Sequence, residues 1–330
     1  MTAASGLPPS AGDRRTPPAL GFCFDRGFPA ALVTEFARRL EADGAQQLWV
    51  IEDCFYTAGV SLAAAALAVT NRLKVGLGIL PAVARNPAIT AMEIATLCGL
   101  GPGRVLPGIG HGVQAWMRQM GARTPSPVTT LSEVITAVRR LLRGERVTMD
   151  GRHVHLDGVR LDRPPEPVPL VLAGVSGPKS LAMAGRVADG LVLAEGTGPL
   201  AVRAALARAG AAEGFHVAKF ARLCVARDRA SAYRAMAPYL AGLLNPPAPR
   251  LRLLPFYDDL VARYATRGVD GLATMPADWW NEIGPIGTLD DARAHLDALA
   301  AAGVSSIGLF PASDVATARA QLGDVAALLR

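Results

Sequence analysis

Residues 73–112, LKVGLGILPAVARNPAITAMEIATLCGLGPGRVLPGIGHG, contain the pattern that decides the fold. The apolar run Leu73–Leu80 predicts a buried strand, and Ala88–Leu100 has the length and apolar spacing of a helix. A second apolar run, Val105–Ile109, predicts another strand. A strand, a helix and a strand in this order form a unit in which the two strands are parallel.

The same alternation extends in both directions from this unit. In chain order, the eight predicted strands are Leu20–Phe24, Leu48–Ile51, Leu73–Leu80, Val105–Ile109, Leu170–Leu172, Leu191–Leu193, Val217–Val225 and Ser306–Phe310. Strands that are apolar throughout are typical of a parallel sheet covered by helices. Eight such steps predict an α/β protein whose sheet closes into a (β/α)8 TIM barrel. An open, doubly wound sheet is the alternative, but such sheets usually contain fewer strands.

Two insertions interrupt the alternation. Residues 145–162 predict a hairpin with Asp150-Gly151 as its tight turn. Residues 230–283 predict a mostly helical segment. We predict that residues 19–330 form a single domain that carries both insertions, and that residues 1–18 form a disordered tail.

Composition excludes several functions. The chain has 330 residues, of which 51% are hydrophobic and 19% are charged, so it can bury a core. The net charge is +6, but the arginines lie scattered among carboxylates and form no basic stripe, which argues against nucleic-acid binding. The longest apolar run, Leu62–Val69, is too short to cross a membrane.

The cysteines and histidines favour neither a disulfide scaffold nor a metal site. The four cysteines lack CxxC spacing, which argues against a zinc ribbon and predicts free thiols in a cytoplasmic protein. His153 and His155 lie two residues apart, but no third ligand accompanies them. We therefore expect no bound metal.

Catalytic residues of TIM barrels lie at the carboxyl ends of the strands. Glu52 and Asp53 follow the second strand, and adjacent side chains at a strand end point to opposite sides. One of them is expected to face the pocket while the other holds a loop, and Asp53 is the better candidate for capping the next helix. After the fourth strand, His111 follows a glycine-rich turn whose Gly110 would let a flat ligand approach the backbone. An ordinary tight turn explains the same glycines, so both interpretations stay open.

The segment Gly174–Lys179 links the fifth strand to a helix. Pro178 suits the first turn of that helix, whose free amides and positive end favour a phosphate. The expected contacts are the amides of Gly177 and Lys179, the Lys179 ammonium and the Ser176 hydroxyl, because Pro178 has no N–H. A capped helix with a solvent-facing lysine is the alternative.

Several short segments, taken together in their order, resemble the bacterial luciferase-like superfamily. They are Leu48–Asp53, Gly76–Ile79, Arg85–Pro87, Gly103–Val105, Gly108–Gly110, Gly177–Lys179, Ala184–Gly190 and Ile286–Asp290. Within the superfamily, the chain resembles the branch of methylenetetrahydromethanopterin reductase, which uses the deazaflavin coenzyme F420. The resemblance covers roughly residues 19–200 and returns at 284–312.

The resemblance implies a homodimeric barrel that binds a flavin or deazaflavin at its carboxyl-end mouth. The ring would lie over the third strand at Gly78 and Ile79, whose peptide bond is expected to be cis within a bulge. The phosphate would lie at Gly177-Pro178-Lys179.

Two positions depart from the family's catalytic patterns. Luciferase-type monooxygenases and the family's sugar-phosphate dehydrogenases have a histidine where this chain has Asp53. The dehydrogenases also have a glutamate at the position of Val113. We therefore assign neither activity, and we expect Glu52 or His111 to supply or orient the proton, with Asp53 as the next candidate.

Three functions stay open. The first is hydride transfer between coenzyme F420 and a small organic substrate. The second is oxygen chemistry on reduced FMN, which a partner flavin reductase would supply. The third is a catalytically silent barrel that binds a flavin or another ligand.

Overall fold

Eight parallel strands close into a barrel in the computed structural model, which describes residues 17–330. In chain order, the strands are β1 (Ala19–Phe24), β2 (Gln47–Val50), β3 (Lys74–Pro81), β4 (Val105–Gly110), β5 (Val147–Asp150), β6 (His155–Val159), β7 (Leu172–Gly174), β8 (Gly190–Leu193), β9 (His216–Arg222), β10 (Cys224–Val225), β11 (Ile286–Gly287) and β12 (Ser306–Phe310). The barrel order is β1-β12-β9-β8-β7-β4-β3-β2. The predicted TIM barrel is confirmed, while residues 1–16 of the predicted tail lie outside the described range.

Helices surround the barrel, and local sequence sets several of their starts. They are α1 (Val33–Ala42), α2 (Gly59–Ala68), α3 (Pro87–Leu100), α4 (Gln114–Gln119), α5 (Pro127–Leu142), α6 (Pro178–Val187), α7 (Pro199–Ala209), α8 (Arg229–Leu244), α9 (Tyr257–Ala273), α10 (Ala277–Asn281), α11 (Leu289–Ala301) and α12 (Val315–Leu328). Asn86 caps α3 by accepting a hydrogen bond from the Ala88 amide. Thr288 and Asp291 form a capping box at the start of α11.

Apolar side chains fill the inside of the barrel and the layer between strands and helices. Trp49 and Phe220 are among the buried residues of the interior, and their rings meet edge to face at 5.2 Å. A Cβ on Gly76 would lie 2.2 Å from Trp49 Cε3. Position 76 therefore has no room for a side chain, and the indole packs directly against the β3 backbone.

Two strand boundaries differ from the sequence predictions. β7 begins at Leu172, two residues later than predicted, where it pairs with Gly108 of β4. The predicted strand Val217–Val225 is two strands, because β9 ends at Arg222 and β10 pairs with β11 outside the barrel. An apolar run can continue across such a change of sheet, so hydropathy does not locate it.

The hairpin of β5 and β6 is antiparallel, as predicted, but its turn differs. Asp150 pairs with His155, so residues 151–154 form the turn and the predicted two-residue Asp-Gly turn is wrong. The Glu133 carboxylate of α5 accepts hydrogen bonds from all three amides of residues 152–154. This anchor from a distant helix favours the longer turn.

The predicted helical insertion comprises α8, α9 and α10 and has an apolar core of its own. Tyr233 stacks on Trp280 with ring centroids 5.1 Å apart, and Phe256 stacks on Trp279 at 4.5 Å. Because these aromatic pairs join separate segments, they hold the insertion together.

Three further features of residues 17–330 concern possible ligands and surroundings. No helix in this range combines the length and apolar character that crossing a membrane requires. The four cysteines are free thiols. The described side chains contain no group of three or more His, Cys, Asp or Glu arranged to hold a metal ion.

Candidate functional site

A cavity of about 530 Å³, which we call the main cavity, opens at the carboxyl ends of the barrel strands. Asp25 and Asp53 line it from beyond the ends of β1 and β2. Gly78 and Ile79 of β3 and Arg222 of β9 also line it. The catalytic residues of TIM barrels lie at this end, so the main cavity is the candidate active site.

Two further hollows adjoin the main cavity along the loop between β7 and α6. One of about 380 Å³ shares Gly174 and Ser176 with the main cavity and is also lined by Glu52 and His111. The other, of about 340 Å³, shares Ser176 and continues past Pro178 at the start of α6. Because these hollows share lining residues, they form one cleft from β3 to the N terminus of α6.

The floor of the cleft at β3 is formed by backbone. The peptide bond between Gly78 and Ile79 is cis, and the pairing of β3 with β4 shifts register at the same place, which confirms the expected geometry. A Cβ on Gly78 would lie 2.6 Å from Phe220 Cζ, and one on Gly174 would lie 2.5 Å from Ile79 Cγ2. Larger residues at these two glycines would therefore clash.

Gly110 lies below this floor. It is buried at the end of β4, where an added Cβ would lie 2.6 Å from the Gly174 carbonyl oxygen. The sequence predicted that Gly110 contacts a cofactor. Gly110 is not among the described residues that line the cleft. Its role in this arrangement is the close packing of β4 against β7.

The N terminus of α6 is open to the cleft. Gly177 precedes Pro178 at the helix start, and no side chain caps the helix. Lys179 and Ser176 are exposed on either side. The amides of the first turn and the positive end of the helix can therefore receive an anion.

Glu52 has contacts on both carboxylate oxygens. Its Oε1 accepts a hydrogen bond from Arg85 Nη1 at 2.5 Å, and its Oε2 accepts one from Arg85 Nη2 at 3.0 Å. Oε2 also accepts a hydrogen bond from the Gly59 amide at the start of α2, at 2.8 Å. Glu52 thus holds the loop and caps α2, so the assignment of this capping role to Asp53 is wrong.

Asp53 faces the main cavity. Its Oδ2 accepts a hydrogen bond from Arg26 Nη1 at 2.6 Å, and the Arg26 guanidinium lies 4.7 Å from the Tyr56 ring centroid. Burial raises the pKa of Asp53 above its ordinary value, and the nearby carboxylates Glu195 and Asp25 act in the same direction, whereas Arg26 lowers it. The cavity therefore contains a carboxyl group that keeps its proton to a higher pH than a free aspartic acid.

His111 lies beside α6. Its Nε2 and the Ser180 Oγ are 2.9 Å apart and share a hydrogen bond. Burial lowers the pKa of His111. The side chain therefore sits at the first turn of α6 and lines the hollow that leads there.

Sequence reasoning missed two arginines of the cleft, Arg222 and Arg250. The predicted seventh strand ran to Val225, which hid Arg222 in the middle of a strand, whereas β9 ends at Arg222. A correct boundary would have placed it among the strand-end candidates. Arg250 comes from the helical insertion, and no local pattern connects that insertion with the barrel mouth.

Lys219 is buried behind the wall of the main cavity. Its Nζ donates hydrogen bonds to the carbonyl oxygens of Ala194 at 2.5 Å and Phe220 at 2.8 Å. Burial lowers the pKa of Lys219 to about 7, although the Glu195 carboxylate opposes this shift. The two carbonyls belong to residues that line the main cavity, so Lys219 braces its wall.

Residues 7–306 match the luciferase-like monooxygenase family. The 5,10-methylenetetrahydromethanopterin reductase of Methanolobus tindarius is 36% identical over 166 residues, which cover 50% of this chain and 50% of the relative. The F420-dependent glucose-6-phosphate dehydrogenase of Beutenbergia cavernae is 38% identical over 139 residues, which cover 41% of each chain. The chain thus spans about half the length, or less, of these curated relatives.

The fold also resembles that of a solved structure. The coenzyme F420-dependent tetrahydromethanopterin reductase of Methanopyrus kandleri superimposes with a TM-score of 0.77 at 19% identity, covering 94% of this chain and 98% of that chain. This likeness concerns the fold, while the family match extends over most of the sequence. The chain therefore belongs to the luciferase-like monooxygenase family.

Proposed function

We propose that this protein is an F420-dependent oxidoreductase that transfers a hydride between the deazaflavin and a small organic substrate. The observation that carries the proposal is the single cleft from Gly78 and Ile79 to the uncapped N terminus of α6. A flat ring with a phosphate-bearing arm suits a cleft that has a cavity at one end and an anion site at the other. The functions of the two curated relatives favour F420 over FMN.

The residues of the cleft fit such a cofactor. Gly78 and Gly174 line the main cavity with backbone, and the Phe220 and Ile79 side chains fill the space that a Cβ at these positions would need. We assign the phosphate to the amides of Gly177 and Lys179, the Ser176 hydroxyl and the Lys179 ammonium. Reduced F420, when bound, supplies a hydride.

We assign the matching proton to Asp53. Adding a hydride to an activated C=C or C=N bond leaves negative charge on the partner atom, which a proton must neutralise. Asp53 faces the main cavity, and burial raises its pKa above the ordinary value of an aspartic acid. The hydrogen bond that Arg26 Nη1 donates to Oδ2 fixes the direction in which the carboxyl group points.

Glu52 and His111, the first candidates for the proton, receive positioning roles. Both oxygens of Glu52 bind Arg85, and Oε2 also binds the Gly59 amide, so Glu52 orients the loop that carries Asp53. The hydrogen bond of His111 to Ser180 orients the first turn of α6. Both side chains line the adjoining hollow of the cleft, whereas Asp53 also lines the main cavity.

The proposal is tested with purified protein and each cofactor. We expect F420 to bind, as followed by its fluorescence, and reduced F420 to be oxidised by an activated alkene without oxygen uptake. A deazaflavin does not readily activate oxygen, so incorporation of an oxygen atom from O2 into the substrate, with FMN and a flavin reductase present, would instead establish a monooxygenase. Cofactor binding without turnover over a broad substrate panel would favour the silent barrel.

We also propose that two copies associate through α2 and α3. The sequence of α2, GVSLAAAALA, contains no charged residue, and α3 exposes Ile89, Met92 and Leu100. Such an apolar face is unfavourable in water, and a second copy of the same face would bury it symmetrically. Light scattering after size exclusion should give twice the chain mass of 34.4 kDa for the wild type, and the single mass for Met92→Glu.

A further inference from the structure

The arginines around the barrel mouth differ in their partners. Three form ion pairs, namely Arg26 with Asp53 at 2.6 Å, Arg85 with Glu52 at 2.5 Å, and Arg250 with Glu195 at 3.4 Å. Arg222 lines the main cavity but has no carboxylate within 4.0 Å in the described part of the chain. Its positive charge therefore has no paired carboxylate among the described side chains, although it lines the main cavity.

Arg222 is nevertheless held firmly. Its Nη1 donates a hydrogen bond to the Pro311 carbonyl oxygen. The guanidinium lies 4.7 Å from the ring centroid of Tyr239 and 5.3 Å from that of Phe310. Its Nε is buried and has no hydrogen-bond partner within residues 17–330. These contacts fix the cation at the cavity wall without neutralising it.

None of the nearby carboxylates forms an ion pair with Arg222 in the described part of the chain. Glu195 also lines the main cavity, but its carboxylate pairs with Arg250. Asp25 lines the cavity too and lies more than 4.0 Å away. A half-buried charge without a counter-charge is costly, and an anionic ligand would offset that cost.

Arg222 also lies close to the reacting region. Phe220 is two residues earlier on β9, and residues at this spacing face the same side of a strand. An added Cβ on Gly78 would contact the Phe220 ring, so the two strands meet across the floor of the cavity. Arg222 therefore lies two residues beyond Phe220 along β9, next to the proposed position of the cofactor ring.

We propose that Arg222 binds an anionic group of the substrate, and that the substrates are small organic acids with a carboxylate. A single unmatched cation suits a single negative charge, and charge-assisted hydrogen bonds to a carboxylate are strong. The proposal rests on the proposed function in one respect, since the bound acid is taken to be the partner in hydride transfer.

Cinnamate and methyl cinnamate provide a matched pair of probes, because they share the activated C=C bond and the phenyl ring but differ in charge. Saturation-transfer NMR should show that the wild-type protein binds cinnamate about 10- to 100-fold more tightly than the ester. Arg222→Gln should lower the affinity for cinnamate by a similar factor and leave that for the ester unchanged. Arg227→Gln, which removes the same charge from an exposed site, is the control.

Equal binding of acid and ester by the wild type, or no binding of cinnamate, would overturn this inference even if Arg222→Gln failed to fold. Unchanged cinnamate affinity in a folded Arg222→Gln protein would also overturn it. F420 fluorescence separates the two proposals. Preference for the acid without F420 binding would remove only the proposed function, whereas F420 binding without that preference would remove only the role of Arg222.

Discussion

The ends of β2 and β9 both bring charged side chains to the main cavity, but they do so differently. At the end of β2, Glu52 and Asp53 each have an arginine partner. At the end of β9, Arg222 has no carboxylate within 4.0 Å in the described chain. A paired charge stabilises one loop geometry, whereas an unpaired charge costs free energy until a ligand matches it. The β2 end is therefore suited to proton transfer by a side chain held in place, and the β9 end to binding an anionic ligand.

The largest effect should come from removing the proton at the β2 end. We expect Asp53→Asn to lower kcat by about 10²–10⁴-fold, because the amide cannot donate a proton as the acid does. F420 affinity should stay unchanged, and Asp25→Asn serves as the control on the same cavity. Steady-state rates with reduced F420 measure this, and full turnover by Asp53→Asn would exclude its assigned role.

The pH dependence of the reaction rate tests the same assignment of the proton to Asp53. The active form of Asp53 is the acid, so the rate should fall as pH rises through its raised pKa. Arg26 lowers that pKa, and Arg26→Gln should therefore move the fall in rate to higher pH. A profile that does not move would mean that another group supplies the proton.

The second effect concerns stability at the β2 end. Arg85→Gln should lower the free energy of unfolding by about 2 kcal/mol, because it leaves Glu52 largely buried without its ionic partner. Arg319→Gln breaks an ion pair with Glu35 on the surface and should have a much smaller effect. Urea unfolding compares the two, and equal losses would contradict the structural role of the Glu52–Arg85 pair.

The third effect concerns the pH dependence of the free energy of unfolding at the buried Lys219 of β9. The pKa of Lys219 is about 7 in the folded chain against its ordinary value of 10.5, so between these values the unfolded chain binds more protons. The stability contributed at this position therefore rises with pH across that window, and the cost of the buried charge is largest below pH 7. Relative to Lys219→Met, the wild type should gain stability in urea unfolding between pH 7 and pH 9.5. Parallel pH dependence of the two proteins would show that Lys219 does not titrate in this range.

The smallest effect is expected at an exposed cation. Lys179→Glu should weaken F420 binding severalfold at low salt, and the loss should shrink as salt increases, because solvent screens the interaction. Fluorescence titrations at two ionic strengths measure it, with Arg186→Glu at the far end of α6 as the control. The same affinity in both variants at low salt would remove Lys179 from the phosphate site.

The parts of the site that could be predicted are those that a short stretch of sequence marks by itself. The start of α6 was found at Pro178 because proline and the preceding glycine mark a helix start. The register shift and cis bond at Gly78–Ile79 followed from the family resemblance. Arg222 was missed because the strand boundary was misplaced, and hydropathy does not record where a strand changes sheets.

Hydropathy and local spacing determined the eight-stranded barrel and its two insertions, because strand and helix periodicity act over a few neighbouring residues. The general rule for TIM barrels then located the cleft at the carboxyl ends of the strands. Only the tertiary structure decided that Asp53 faces the cavity while Glu52 caps α2, since their arginine partners come from different loops. Likewise, only the tertiary structure shows that Arg222 has no carboxylate partner in the described chain. Charge pairing depends on which distant segments meet, and no local pattern encodes that.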